Sequence, residues 1–289
     1  MVNELAVASY AKKIIKVCDY ISENLHADLS VEKLSRVASF SKHHFHRQFY
    51  EYTGVNVSRF IMLMRLKRAS FQLVFNKSYR VIDIALDAGY ENPESFTRAF
   101  KNLFKQTPTQ FRQKPEWESW YRHYQFTRIE RELNLNIEIV EFTETKVAVL
   151  EHRGAPELIN DSVSTFIDWR TESRLSPVVS SATYGLAYDD PATTKPQDFR
   201  FDICGTISGD VPENTQGVVA KCIPAARCAQ LRHHGAHEEM EEKVRYLYGV
   251  WLPASGEELR DFPCFFHYVN LFPYVAEHEL VTDIYLPLK

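Results

Sequence analysis

Arg47 and Arg98 stand in the same five-residue setting. Phe45-His46-Arg47-Gln48-Phe49 recurs about fifty residues later as Phe96-Thr97-Arg98-Ala99-Phe100. On a helix, phenylalanines four apart share one face, and the residue midway between them points away from it. An outward arginine suits recognition rather than bond making, because its forked donors match guanine O6 and N7. The pattern therefore predicts two helices that each bury an aromatic pair and offer an arginine to a ligand.

The flanking residues say how those helices are held. Ile14, Ile15, Cys18, Ile21 and Leu25 predict a first amphipathic helix over residues 9–25. Ser30 is placed to cap a short helix over Val31–Ala38, and Ser41 to cap the one carrying Phe45 and Phe49. Ser39 occupies the turn where glycine is usual. In the second copy, Val81 to Leu86 predict a helix ending at Gly89; Asn92 caps the next, with Pro93 at its first position. Thr107-Pro108 opens a last short helix through Arg112. Short helix, tight turn and second helix make a helix-turn-helix, which places its second helix in the DNA major groove. Between the copies, Val57–Phe75 predicts one long helix of nineteen residues. At about 1.5 Å per residue it spans about 28 Å, close to the ~34 Å between successive major-groove faces. One polypeptide would then read two adjacent major grooves of double-stranded DNA.

These residues resemble the AraC/XylS family of bacterial transcription regulators. The resemblance covers about residues 10–113. It rests on Ile84-Ala85, Gly89-Tyr90, Phe96-x-Arg98-x-Phe100-Lys101, Thr107-Pro108 and Phe111-Arg112 in the second unit. In the first it rests on Leu34, Ala38, Phe40-Ser41, Phe45, Arg47, Phe49 and Gly54, with Arg65-Leu66 and Ala69 in the linking helix. It implies that Lys42, His43, His46 and Arg47 face DNA from the first recognition helix, and Pro93, Glu94, Thr97 and Arg98 from the second. Relatives of the Mar and Rob regulators commonly have Trp where His43 stands and Gln where Pro93 and Glu94 stand, so the operator is expected to be this chain's own. His43, His44 and His46 lack a third ligand type nearby, and no metal is expected there.

Charge divides the chain. Residues 1–115 carry a net charge of +8 and the remainder −12. A basic front suits a polyanion, whereas an acidic back repels one and tolerates cationic ligands. The five cysteines, Cys18, Cys204, Cys222, Cys228 and Cys264, are scattered and form no C-x-x-C pair, as expected of reduced thiols in a cytoplasmic protein. Lys12, Lys13 and Lys16 interrupt any leader-like apolar run, and no stretch reaches the ~18 apolar residues of a spanning helix, so no membrane partner is expected.

The acidic half contains its own duplication. Val147 to Ala155 matches Cys228 to Ala236, with Gly154 and Gly235 81 residues apart. Trp169 follows the first glycine by 15 residues and Trp251 the second by 16; Asp202 and Asp283 each follow by 48. Strands are predicted over 137–142, 147–153, 181–187, 198–207, 217–223, 226–233, 264–271 and 281–288, with helices over 158–172 and 238–252. The chain is thus expected to be multidomain. An all-α tandem helix-turn-helix domain over 1–115 is followed by a connector over 116–136 and an α+β domain of duplicated β-α-β-β units over 137–289. The two units should share one antiparallel sheet with both helices on one face.

This second half resembles the GyrI-like effector-binding domains, and the order of domains resembles Rob-type regulators. That family typically carries Glu in its last strand, before an apolar run ending in Pro; here Asp283 precedes Ile284-Tyr285-Leu286-Pro287. The resemblance implies a carboxylate beneath an aromatic pocket, holding a lipophilic cation with help from Trp251, Tyr184 or Tyr268. Trp169 and Trp251 are open to two readings, core or ligand contact, and Asp202 and Asp283 equally to pairing with neighbouring basic groups. His152, His233, His234 and His237 suit turn or surface roles better than a metal. No cofactor and no catalytic set is expected, and contact with RNA polymerase fits a regulator. Two alternatives stand beside the regulator. One is a hydrolase of electrophilic small molecules with Asp283 as general base; the other is a tail that docks only a protein.

Overall fold

A computed structural model describes residues 4–124, 135–272 and 274–289, leaving aside the side chains of residues 4–9, His43 and Glu238. It divides into two compact units, Met1–Leu133 with Ala276–His278, and Asn134–Val275 with Glu279–Lys289.

In the first unit, α1 (Glu4–Glu23) starts five residues ahead of the predicted helix. Helices α2 (Val31–Val37) and α3 (Lys42–Thr53) form one helix-turn-helix, and α5 (Val81–Asp87) and α6 (Pro93–Phe104) the other. Helix α4 (Val57–Phe75) joins them; α7 (Pro108–Gln113) and α8 (Trp117–Tyr121) follow. Each helix-turn-helix has its own core. Ile14, Val17, Ile21, Leu34, Phe45, Phe49 and Phe60 fill the first. Leu66, Ile84, Phe96, Phe100, Phe111, Trp117 and Trp120 fill the second. The aromatic stretch expected as a connector therefore begins as core. Its residues 125–134 lie outside the described residues.

The two turns are built alike. Ser39 (φ 54) and Gly89 (φ 77) both adopt the left-handed conformation. Phe40 N–H donates to Ser35 O at 2.9 Å, and Tyr90 N–H to Ala85 O at 3.1 Å, in the same wrap-around. Ser39 takes glycine's place at a cost of about 1–2 kcal/mol. Ser30 does not cap α2 with its side chain; its N–H and hydroxyl both donate to the Asp28 carboxylate, at 2.9 and 3.1 Å. A nearby acceptor has outcompeted the helix end.

The second unit contains β1 (Ile137–Phe142), β2 (Thr145–Arg153), α9 (Ile159–Ser173), β3 (Thr183–Ala187), β4 (Arg200–Thr206), β5 (Val219–Ile223), β6 (Ala226–His234), α10 (Met240–Tyr246), α11 (Leu252–Ser255), β7 (Cys264–Tyr268) and β8 (Val281–Leu288). They form one eight-stranded antiparallel sheet in the order β1-β6-β8-β7-β3-β4-β2-β5. Adding 81 to a residue number maps β1, β2, β3 and β4 onto β5, β6, β7 and β8, which reverses this order about its middle. The pseudo-twofold axis passes between β3 and β7, where Gly185 pairs with Phe266, its own counterpart. Each repeat also has a leading strand beyond the expected β-α-β-β, and that strand crosses to the other repeat. β1 pairs with β6, and β5 with β2.

Helices α9 and α10 pack on one face of this sheet. A π-helical turn, Leu247–Trp251, interrupts the second helix before α11. Pro253 lacks the N–H that would close an ordinary turn on Gly249. The wider turn absorbs one extra residue, which is why Trp251 falls 16 rather than 15 places after its glycine.

His152 and His233 staple the turns that enter the two helical segments. Nε2 of His152 lies 3.1 Å from Ala155 O, and Nε2 of His233 lies 2.9 Å from Ala236 O. Their Nδ1 atoms differ. That of His152 meets Ser162 Oγ at 2.9 Å, whereas Lys243 stands 81 residues beyond Ser162 and His233 Nδ1 has no hydrogen-bond partner among the described residues. Burial, reinforced by the charge of Lys243, pulls the His233 imidazole down to about 4 from an ordinary 6.5. The folded state therefore refuses a proton that the unfolded chain accepts as pH falls through 6.5, and stability falls with it. Between about pH 7.5 and pH 5 this group alone removes on the order of 2 kcal/mol. Urea unfolding at the two pH values is expected to show that loss in the wild type and a clearly smaller one in His233→Gln.

Candidate DNA-reading helices and effector faces

Helix α3 begins at Ser41, whose hydroxyl accepts from His44 N–H at 3.4 Å; α6 begins at Asn92, whose side chain accepts from Ser95 N–H at 2.8 Å. The second cap is the tighter, and Pro93 follows it at the first helical position, where a missing N–H costs nothing. Phe45, Phe49, Phe96 and Phe100 are fully buried. On the opposite sides, Lys42, His46 and Arg47 of α3 and Glu94 and Arg98 of α6 are exposed, with Pro93 and Thr97 half-buried beside them. The His43 side chain lies outside the described residues. Lys42 is held by Glu32 of α2. Arg47 and Arg98 have no ion-pair partner among the described residues.

Contacts behind α6 fix its attitude. Phe100 meets Phe111 edge-on at 5.4 Å and Phe104 at 4.6 Å. Thr107 and Gln110 close a capping box at the start of α7. Arg112 then donates from Nε to Leu73 O at 3.2 Å and from Nη2 to Tyr79 O at 2.7 Å, tying α7 to the end of α4 and the approach to α5.

The expected effector residues fall on two faces of the sheet. Trp169 is buried against Phe166, stacked at 5.6 Å, inside the core between α9 and the sheet. Trp251 and Tyr268 are half-buried on that same helix-bearing side. At the axis the Gly185 backbone is covered from this side: a Cβ there would lie 2.4 Å from Phe201 Cζ and 3.0 Å from Tyr268 Oη. Burial holds the Tyr268 phenol well above its ordinary range.

Tyr184 and Asp283 lie on the other face. Tyr184 stacks on His267 at 4.8 Å, and Phe142, Phe265 and Tyr285 complete an aromatic cluster there. The expected carboxylate beneath aromatic rings is present, but both its oxygens are taken. Arg232 Nε and Nη2 donate to Asp283 at 2.7 and 2.8 Å. Asp202, 81 residues earlier and fully buried, accepts from Arg153 at 2.9 Å, Lys221 at 2.8 Å and the Tyr188 hydroxyl at 3.0 Å. Burial, with the Asp202 charge, raises the Tyr188 phenol to about 12. Sequence reasoning missed Arg232, although the repeat itself carries the signal: 81 places before it stands Glu151, which pairs with Arg153 and Lys221.

Residues 135–289, more than half of the chain, match the GyrI-like small molecule binding domain. The chain belongs to the GyrI-like family. Residues 34–114 match a helix-turn-helix domain. This GyrI-like protein therefore joins a helix-turn-helix domain to a small-molecule binding domain, the make-up of a DNA-binding regulator. The "Probable transcriptional regulator YgiV" of Escherichia coli (strain K12) is 48% identical over 156 residues, 54% of this chain and 98% of that protein. The "Uncharacterized HTH-type transcriptional regulator YbfP" of Bacillus subtilis (strain 168) is 40% identical over 103 residues, 36% of this chain and 35% of that protein. Among solved structures, the EcmrR C-terminal domain is 15% identical, covering 54% of this chain and 99% of its own, with a TM-score of 0.46. No helix among the described residues is long and apolar enough to cross a membrane.

The caps make α3 and α6 separately testable. Asn92→Ala is expected to cost about 1 kcal/mol of stability. Ser41→Ala should cost less, because its cap bond is longer; thermal unfolding of the two variants against wild type measures the order.

Proposed function

We propose that the GyrI-like protein reads two adjacent major grooves of double-stranded DNA with α3 and α6, and that an effector bound to its second unit modulates that reading. Lys42, His43, His46 and Arg47 form the first reading set, and Pro93, Glu94, Thr97 and Arg98 the second. The observation that carries this is the equivalence of Arg47 and Arg98: each points outward from a capped helix opposite a buried phenylalanine pair. Arg98→Ala is expected to weaken binding to a duplex selected in vitro by the wild type by about 1–3 kcal/mol and to relax one base position. Unchanged affinity and unchanged base preference, measured by fluorescence anisotropy, would remove Arg98 from the reading set. A cytoplasmic regulator of this kind would also meet RNA polymerase.

For the effector, the helix-bearing face supplies the half-buried rings of Trp251 and Tyr268. That combination suits a lipophilic aromatic ligand. Tyr184 and Asp283 form a second locus on the other face, where a cation would have to displace Arg232 from the carboxylate. The same bidentate pairing speaks against Asp283 as the general base of a hydrolase. With tetraphenylphosphonium as probe, Trp251→Ala is expected to lower affinity about threefold to tenfold, while Asp283→Asn leaves it within about twofold. Calorimetry showing the reverse order would return the ligand to the Asp283 face.

A further inference from the structure

Two reading helices on one chain gain from each other only if their separation and rotation are held. Arg65 sits midway along α4, at the level where the cores change over. Phe60 belongs to the first core and Leu63 to the second, while Met64 packs against both. The Arg65 Nε–H donates to Leu25 O, in the loop between α1 and α2 of the first head, at 3.1 Å. One turn further on, Arg68 Nη1 lies 2.6 Å from Nε2 of His26, the next residue of that loop. The other side of the Arg65 guanidinium lies against the turn of the second head. A Cβ added at Gly89 would stand 2.9 Å from its Cζ and 3.0 Å from its Nη1. Gly89 lies three residues before Asn92, which caps α6.

We infer that Arg65 is a positioning residue for DNA recognition, which sets the spacing of the two reading helices by bridging the α1–α2 loop of one head and the Gly89 turn of the other. The inference rests on the two-groove reading proposed above. Arg65 acts through its neighbours and is not itself assigned a base. Its planar fork reaches the carbonyl with Nε while the flat face meets Gly89. A lysine offers one compact ammonium and cannot do both. Without the bridge, each head keeps its own fold and its own affinity, but the second binding event loses the geometric advantage of the first.

The test uses the full chain and a duplex that the wild type selects from a random library. Affinity is measured on the selected two-box duplex, on the same duplex with either box scrambled, and on one with a single base pair inserted between the boxes. The wild type is expected to lose at least about tenfold on insertion. Arg65→Met should bind the intact two-box duplex about tenfold more weakly than wild type, match it within about twofold on one-box duplexes, and lose less than about threefold on insertion. Arg65→Lys should fall between them. Wild-type affinity and spacing dependence in Arg65→Met would overturn the inference. So would a parallel loss on every duplex with the spacing dependence intact, because that is the signature of a weakened fold. Selection by the wild type of duplexes with only one box would instead remove the two-groove reading beneath it.

Discussion

Helix α4 is shared between two hydrophobic cores, and the DNA-reading unit depends on that sharing. Its first turns bury Val57 and Phe60 with α1, α2 and α3, and its later turns bury Leu66, Ala69 and Leu73 with α5, α6 and α7. A helix committed to both cores cannot rotate for one head without unpacking the other, since close-packed interiors do not deform continuously. The caps, the left-handed turns and the Arg112 tether refine each head. The doubly packed helix joins the two heads, and the Arg65 bridge across it holds their spacing.

The second unit solves a different problem with the same economy of repetition. Its sheet buries side chains on both faces, one under helices and one in an aromatic cluster of its own. Buried Asp202 and Asp283 are tolerated because each is matched by donors in good geometry. Removing such a partner, rather than the pair, is what costs a fold most. The two carboxylates nevertheless differ in surroundings: Asp202 sits in a four-charge cluster with Glu151, Arg153 and Lys221, and Asp283 with Arg232. The repeats have kept their backbone and diverged in their charges, so the two ends of the domain are chemically unlike.

Much of this was legible in the residues. Apolar periodicity, Asn92-Pro93 and Thr107-Pro108 mark helices through local chemistry, and all eight strands follow from alternation and turn residues. The 81-residue offset announces the duplication. What could not be read were properties of pairing. The crossing of β1 to β6 and β5 to β2 depends on partners seventy or more residues apart. The division of Trp251 and Tyr268 from Tyr184 and Asp283 depends on which side of each strand meets a helix. The capture of Asp283 by Arg232 is set by cross-strand register, Arg232 lying opposite Asp283. Ser30 shows the local version: a good cap by type, it is claimed by Asp28 two residues away.

The exchange of leading strands has a consequence for how the effector domain holds together. Each repeat lends its first strand to the other, so neither repeat is closed without its twin. The linkage is mutual, as when two people each grip the other's wrist. A scission of the chain between β4 and β5 would leave halves joined by three strand pairings: β1 on β6, β5 on β2, and β3 on β7 at the axis. The integrity of this domain therefore resides less in the continuity of its backbone than in its hydrogen-bonded reciprocity.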